Sequence, residues 1–480
     1  MSRSHPTTIR WSGRLAGTAL ALAACAAPST DDPQAAPAAE ATRLPTPNLP
    51  APVEAAVTPN GAMAKPPDVE DPSPIHGTLT TRYIGRESDE FRDQDVYALV
   101  EASVNDADTD PWNAYVSGRV ARDLDGGIDD DASPFHSIDD THGDLTRSRL
   151  YEAWVEARAT GLDVLRFGRQ ELWDTPEWVR FDGLKVETQP EGGWKRQLGF
   201  YGGQPARQES SDSGDSVWGA WLKHRPWTGG STRLDVMNLS DEERLGSDQN
   251  TLLSADVRQQ FGTELGMEAD YTWLEGSPRE LDLRANWARP ESGWVGQVRY
   301  HKLLNEQQVL AEEFDPFSTA LLTYEPYWQA GAMLAKSFAR GFDLQGGWDM
   351  RRLNDAADEG EFNREYERGF LTGAVHDVLV DGCTVTLTGE RWVGGGSELG
   401  TWGVDLTQAW GKDVSASVGS YYSVYKDDFL LGQEHQDVRT WYAKLKLRSD
   451  PKLTWTFGFD HEANEIDTYD TITLRAAWSF

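Results

Sequence analysis

Residues 453–480 read LTWTFGFDHEANEIDTYDTITLRAAWSF, and this stretch decides the fold. In its first part Leu453, Trp455, Phe457 and Phe459 alternate with Thr454, Thr456 and Asp460. In its last part Ile472, Leu474, Ala476, Trp478 and Phe480 alternate with Thr471, Thr473, Arg475, Ala477 and Ser479. Successive side chains of an extended strand point to opposite faces, so a period of two gives each segment one apolar and one polar face. A soluble sandwich has no reason to carry this alternation unbroken to a terminal Phe. Working back along the chain, the same pattern recurs. Leu265, Met267, Ala269, Tyr271 and Trp273 oppose Glu264, Glu268 and Asp270; Leu281, Leu283, Ala285 and Trp287 oppose Asp282, Arg284 and Asn286; Trp441, Ala443, Leu445 and Leu447 oppose Tyr442, Lys444, Lys446 and Arg448.

Composition agrees. The chain has 45 Gly, 20 Trp, 15 Tyr and 16 Phe beside 26% charged residues, and a mean hydropathy of −0.58. No internal run approaches the roughly 18 apolar residues of a transmembrane helix. A bilayer leaves no backbone group solvated, so strands can cross it only as a closed barrel. Apolar–polar segments of about ten residues separated by turns are the signature of such a barrel. The expectation is an all-β fold, a single transmembrane antiparallel up-and-down β-barrel over residues 76–480. Counting segments gives about 22 strands, with about 18 as the lower bound set by boundary error. Tight turns at Thr160-Gly161, Gly411-Lys412 and Ser449-Asp450-Pro451 interleave with longer polar loops, and an even count puts both chain ends on one, periplasmic, side. Ile472, Leu474, Ala476, Trp478 and Phe480 resemble the C-terminal signal read by the outer-membrane barrel assembly machinery. That machinery and outer-membrane lipid are therefore expected partners.

The N-terminus reads as an export signal over residues 1–24: Arg3, Arg10 and Arg14 precede an apolar stretch from Leu15 to Ala24 that is too short to span. Its end, Leu22-Ala23-Ala24-Cys25, resembles a lipoprotein lipobox, which implies a diacylated Cys25; Ala26 in place of Asp implies passage on to the outer membrane of a Gram-negative-type envelope. Residues 25–75 then form an Ala/Pro-rich tether without apolar periodicity. The only other cysteine, Cys383, shares the lipid-facing phase of Val385 and Leu387, and the pair makes no disulfide framework, zinc ribbon or haem site.

Seventy-eight acidic against 45 basic residues give a formal charge of −33, which argues against nucleic-acid binding. On the polar faces the signs balance. Glu101, Glu152, Glu156, Asp235, Asp256, Glu264, Glu268, Asp270, Asp282, Asp405 and Asp460 are set against Arg119, Arg166, Arg233, Arg258, Arg284, Arg299, Lys444, Lys446, Arg448 and Arg475. These residues are expected to line the lumen. Unpaired charges need water, so they point to a channel; the competing reading pairs them into a closed plug. Glu264, Glu268 and Asp270 lie about nine strands from Lys444, Lys446 and Arg448, nearly opposite in a ring of about 22, which would set a field across the lumen.

The segment 123–144 holds Asp123, Asp125, Asp129, Asp130, Asp131, Asp139, Asp140 and Asp144, but its spacing fails a calcium loop and it reads as a solvated surface loop. His136 and His142 share that segment without a nucleophile motif, so no catalytic site, metal or cofactor is expected. Residues 147–187, with Gly168-Arg169-Gln170 ending one strand and Asp182-Gly183-Leu184 opening its return, resemble the early strands of the alginate-export family of outer-membrane porins. The resemblance implies a single-chain porin, although a polyanion exporter should present a strongly basic lumen. The leading expectation is a porin passing small hydrophilic solutes. The alternatives are the shell of an export or electron-transfer conduit threaded by an unidentified periplasmic or pore partner, and a non-conducting structural or adhesion barrel.

Overall fold

The structure, a computed structural model, describes residues 74–89, 91–106, 110–125, 135, 138, 143–206, 215–243, 246–305, 325–339, 341–359, 364–394, 397–428, 433–464 and 468–480, with backbone alone at 241–243, 246–248, 397, 423–428 and 433–437. The expected signal, Cys25, the tether to residue 73, His136, His142 and Asp129, Asp130, Asp131, Asp139 and Asp140 lie outside the described residues.

Alternation becomes 22 strands: β1 (Ile75–Glu87), β2 (Arg92–Val104), β3 (Trp112–Asp123), β4 (Thr146–Ala159), β5 (Leu162–Leu172), β6 (Val179–Thr188), β7 (Gln197–Pro205), β8 (Ser216–His224), β9 (Gly230–Glu243), β10 (Gly246–Phe261), β11 (Leu265–Leu274), β12 (Ser277–Arg289), β13 (Trp294–Leu303), β14 (Tyr327–Phe338), β15 (Phe342–Leu353), β16 (Tyr366–His376), β17 (Cys383–Gly394), β18 (Ser397–Trp410), β19 (Val414–Asp428), β20 (Gln433–Asp450), β21 (Leu453–Ala463) and β22 (Thr468–Ser479). Each pairs antiparallel with the next, and β22 returns to β1 from Thr78↔Ser479 to Glu87↔Asp470. The barrel is therefore closed and has no free edge. At the seam Gly77 and Phe480 exchange backbone hydrogen bonds of 3.1 and 3.0 Å, and the Phe480 ring fills the space a Gly77 side chain would need.

Charge identifies the inner face: Arg299 on β13, which reaches past β14 to Asp349 on β15, Nη2 to Oδ1 2.8 Å, shares its phase with Asp282, Arg284 and Arg368. The opposite phase exposes Phe167, Phe200, Leu234, Met267, Val298, Leu334, Leu387 and Phe457, among others, right round the ring. A soluble surface rarely exposes so continuous an apolar area, whereas a hydrocarbon-facing wall requires it. Trp112, Trp194, Trp227, Phe261, Phe338 and Trp410, all exposed, gather toward the end that carries both chain ends, as an aromatic girdle does.

Connections at that end are short: 105–111, 160–161, 189–196, 225–229, 262–264, 290–293, 339–341, 377–382, 411–413 and 451–452. The far end carries the long ones, 124–145, 206–215, 304–326 and 354–365, but also the two-residue links 244–245, 275–276 and 395–396. The asymmetry of loop lengths is thus present without being strict, because β9 with β10 and β17 with β18 run on as tall hairpins.

Candidate functional site: the charged inner face

Neighbouring strands set inner-face side chains side by side in lateral rows. In one row Arg233, Asp256, Asp270, Asp282 and His301 are successive register partners from β9 to β13. In the next, nearer the chain ends, stand Arg258, Glu268, Arg284 and Arg299. Like charges directly opposite one another cost stability, so three adjacent aspartates need compensation. Arg258 supplies part of it, 3.2 Å from Asp256 and 2.8 Å from Glu268, and His301 lies 3.2 Å from Asp282. Asp270, between them, makes no ion pair among the described residues. Beyond Arg299 the pairing continues: Asp349 also meets Arg368 at 3.7 Å, and Arg368 meets Glu390 at 2.5 Å.

One connection folds into the barrel. Residues 173–178, between β5 and β6, send Asp174 to Arg233 on β9, 2.5 Å, and Glu177 to Arg279 on β12, 3.0 Å. Arg233 is gripped a second time by Asp235, 2.8 Å, and lies over the Trp221 ring. Arg279 is the extra residue of a β-bulge at which Thr272 faces Glu280 and Trp273 faces Pro278; the bulge turns it toward the loop. Partial desolvation works against ionisation of Asp174, whose side chain is still 59% exposed, yet the hydrogen bond it accepts from Arg233 and the attraction of Arg233 and Lys185 outweigh this and keep its carboxyl below the usual carboxylate range. Under this strap Phe181, Tyr201, Val217, Met237, Leu239 and Leu252 are at most 1% exposed on the inner face. A wall wetted throughout would not seal them.

The segment that resembles the alginate-export family forms the base of the strap. Gly168 has φ +127°, and a Cβ there would fall 2.2 Å from the Ala153 carbonyl, so only glycine permits β4 and β5 to approach so closely. Beside it Arg169 grips Asp182 through two bonds of 2.8 and 2.7 Å, and buried Gln170 donates to the Gly183 carbonyl at 3.2 Å. These residues shape and hold the hairpin.

The opposite wall differs. On β20 Lys444, Lys446 and Arg448 share the inner phase, are exposed, and make no ion pair among the described residues. Their lateral neighbours are small and neutral: Ser417 and Gly458, Ser415 and Thr456, and Thr454. Exposed Arg475 on β22 continues the Lys446 row through Thr456. Between the two walls, on β4 and β5, buried Glu156 pairs with Arg166 at 2.7 Å, and Arg166 stacks over Trp154. Glu152 accepts from Trp154 Nε1 at 3.3 Å, Arg119 lies over Tyr97, and Glu101 is exposed.

One expected position needs revision. Glu264 falls in the turn before β11 and pairs with Arg289 at 3.4 Å, so it stands at the mouth and not along the wall. Cys383 has the expected lipid-facing phase and is 3% exposed. Of the Asp-rich segment the described members are Asp123, Asp125 and Asp144; Asp123 Oδ1 accepts from the Asp125 N–H, and no group of acidic, His or Cys side chains able to hold a metal occurs among the described residues. The strap itself was missed, although it left a signal: near the far end β9, β10 and β11 are apolar on both phases, as in Val236-Met237, Leu252-Leu253 and Trp273-Leu274.

No protein-family model matches the chain and no curated protein matches it, so the likeness of residues 147–187 rests on those residues alone. Among solved structures, the translocation pore of the P pilus usher PapC matches with a TM-score of 0.50 at 8% identity, over 84% of this chain and 99% of that one. Acinetobacter baumannii OccAB3 aligns with a TM-score of 0.43 at 11% identity, over 85% and 99% of the two chains. Pseudomonas aeruginosa OpdK, solved with vanillate, aligns with a TM-score of 0.42 at 11% identity, over 85% and 98%. The likeness to the usher pore is one of fold, a large closed β-barrel.

Proposed function

We propose that the chain is an outer-membrane porin that lets small hydrophilic solutes pass passively, anchored by a lipid on Cys25 with its N-terminus in the periplasm. The observation that carries this is a set of exposed charges inside the barrel that have no ion partner among the described residues: Lys444, Lys446, Arg448, Arg475 and Arg284. Charges in a dry interior pair or neutralise, so their exposure calls for water beside them. A ring of 22 strands is also too wide to be filled by its own side chains. A polyanionic polymer, which the alginate-export resemblance would imply, fits less well, because Asp256, Asp270 and Asp282 stand in the wall beside the strap. The role is transport without catalysis, and no cofactor enters it.

Single-channel recording in planar bilayers tests the reading. Folded protein should give stepwise, ohmic conductance; heat-modifiable protein that inserts without conducting would favour a structural barrel instead. Conductance only after co-purification with a second protein would favour the threaded conduit. Two further expectations belong to this reading. Intact mass should show a diacylglyceryl group on an N-terminal Cys25. Phe480→Asp, which removes the ring that closes on Gly77, should leave periplasmic aggregate in place of assembled barrel.

A further inference from the structure

The turn between β16 and β17, Asp377-Val378-Leu379-Val380-Asp381-Gly382, is at odds with the other short turns at its end of the barrel, none of which holds more than one large apolar residue. It presents three consecutive aliphatic residues, and Leu379, at 79%, is more exposed than any other large apolar side chain among the described residues; Val378 and Val380 are 45% and 57% exposed. The turn is well formed. Gly382 N donates to Asp377 Oδ1 at 2.7 Å, Cys383 N to the Val380 carbonyl at 3.1 Å, and Val378 N to the Cys383 carbonyl at 3.3 Å. Three adjacent aliphatic side chains left in water gain about 25 cal/mol for each Å² moved into hydrocarbon, so an apolar phase beside the turn would draw them in.

Two observations bear on which way it leans. Cys383 begins β17, beside the turn, on the phase of lipid-facing Leu387, and is only 3% exposed. Gln408 on β18, in phase with lipid-facing Trp402, Leu406 and Trp410, donates to the Asp381 carbonyl at 3.0 Å. The turn is thus tied to the outer phase of β18, and exposed Val375 on β16 and Trp410 on β18 stand on that phase within two residues of Asp377 and Gln408. Asp377 and Asp381 flank the tip as the polar shoulders that headgroups would solvate.

We infer that Val378, Leu379 and Val380 insert into the acyl region of the leaflet at the chain-end side of the barrel, making this turn a lipid-binding foot. The occupant is phospholipid acyl chain, because the patch adjoins the hydrocarbon-facing wall. The inference needs a membrane barrel and does not depend on whether the barrel conducts. It is tested with the full chain in phosphatidylethanolamine–phosphatidylglycerol vesicles, with Cys25→Ala and Cys383→Ala as background and nitroxide labels placed singly by Leu379→Cys and Val380→Cys. Leu387→Cys serves as a hydrocarbon reference and Asp355→Cys, in an exposed far-end connection, as a water reference. Both turn labels should show an oxygen-to-nickel-chelate accessibility ratio several-fold above that of the Asp355 label and close to that of the Leu387 label. Ratios at the Asp355 level would overturn the inference, since the tip would then lie in water. Protection of both labels from both reagents would overturn it too, by placing the tip against a second copy of the chain. Heat-modifiability confirms that each labelled variant is folded, and either label alone suffices for the comparison.

Discussion

Two walls of one lumen use charge in opposite ways. From β5 to β13 the inner face carries many carboxylates and guanidinium groups, but most are paired, and the strap 173–178 is bound across them by Asp174–Arg233 and Glu177–Arg279. From β20 to β22 the cations are few, exposed and set among Ser, Thr and Gly. The first wall employs its charges on itself, as structure; the second leaves them to whatever passes. Charge content alone therefore says little about permeation, and the partners of each group say more.

The sharpest way to break this contrast is to remove one cation from each wall. Arg233→Met would strand Asp235, whose side chain is 4% exposed, and release Asp174; losing one partner of a buried pair costs about 3–5 kcal/mol. Lys446→Met removes an exposed group with no ion partner among the described residues and should change stability by no more than about 0.5 kcal/mol. Guanidinium unfolding in detergent, followed by heat-modifiability, measures both. Equal losses would mean that the two walls are built alike.

Selectivity should rank the other way. Neutralising Lys444, Lys446 and Arg448 to Gln should lower anion permeability several-fold, read from the reversal potential in a KCl gradient. Asp256→Asn with Asp270→Asn and Asp282→Asn should shift selectivity toward anions by less, because Arg258 and His301 already offset two of those carboxylates. A larger effect from the aspartates would place the open path beside the strap.

How much of this was legible in the sequence follows from the range of each signal. Strand number and phase are local: a slip of one residue would turn Leu283 inward and Arg284 toward lipid, so alternation alone fixes which residues share the inner face. The 22 strands follow from that pattern. The strap is not local. Trp173-Asp174-Thr175-Pro176-Glu177-Trp178 reads as any polar hairpin loop, and its anchors lie 59 and 102 residues away. Only the doubled apolar phases of β9 to β11 hinted that something covers that wall. The tall hairpins are hidden for a related reason: the apolar–polar alternation fades after about Leu239 and resumes near Leu252 although the hydrogen-bond ladder between β9 and β10 goes on.

The strap adds a pH dependence with a defined sign. Because Arg233 holds the Asp174 carboxyl below its ordinary range, this pair stabilises the folded strap at every pH above the unfolded value of about 3.9. The contribution is lost only as pH falls through the lower folded value. The strap itself should then stay bound down to about pH 5 and loosen, read as added conductance noise, only below about pH 4. Asp174→Asn should show the loosened behaviour at neutral pH; a wild-type transition near pH 6 would point to a different titrating group.

The smallest expected effect concerns whether the two walls sense each other. In a ring of 22 strands β11 stands opposite β22, so the aspartate row on β10 to β12 faces the cations of β20 and β22 across the full width of the barrel. A strand spacing of about 4.8 Å and a tilt of about 40° give a circular barrel a backbone diameter of about 44 Å. The Debye length is about 10 Å at 0.1 M salt, so a field between walls so far apart is extinguished in the intervening water at ordinary ionic strength. Each wall then acts only on solute close to it. The prediction concerns additivity: at about 0.1 M KCl, the changes in the logarithm of the cation-to-anion permeability ratio caused by the β20 and aspartate substitutions should sum in the combined variant. At about 0.01 M, where the Debye length reaches about 30 Å, the walls begin to couple and the sum should fail by a small margin. Non-additivity already at the higher salt would mean that charged groups bridge the lumen, the reach of the strap being the first place to look, and that the contrast between a self-paired and a free wall is drawn too sharply.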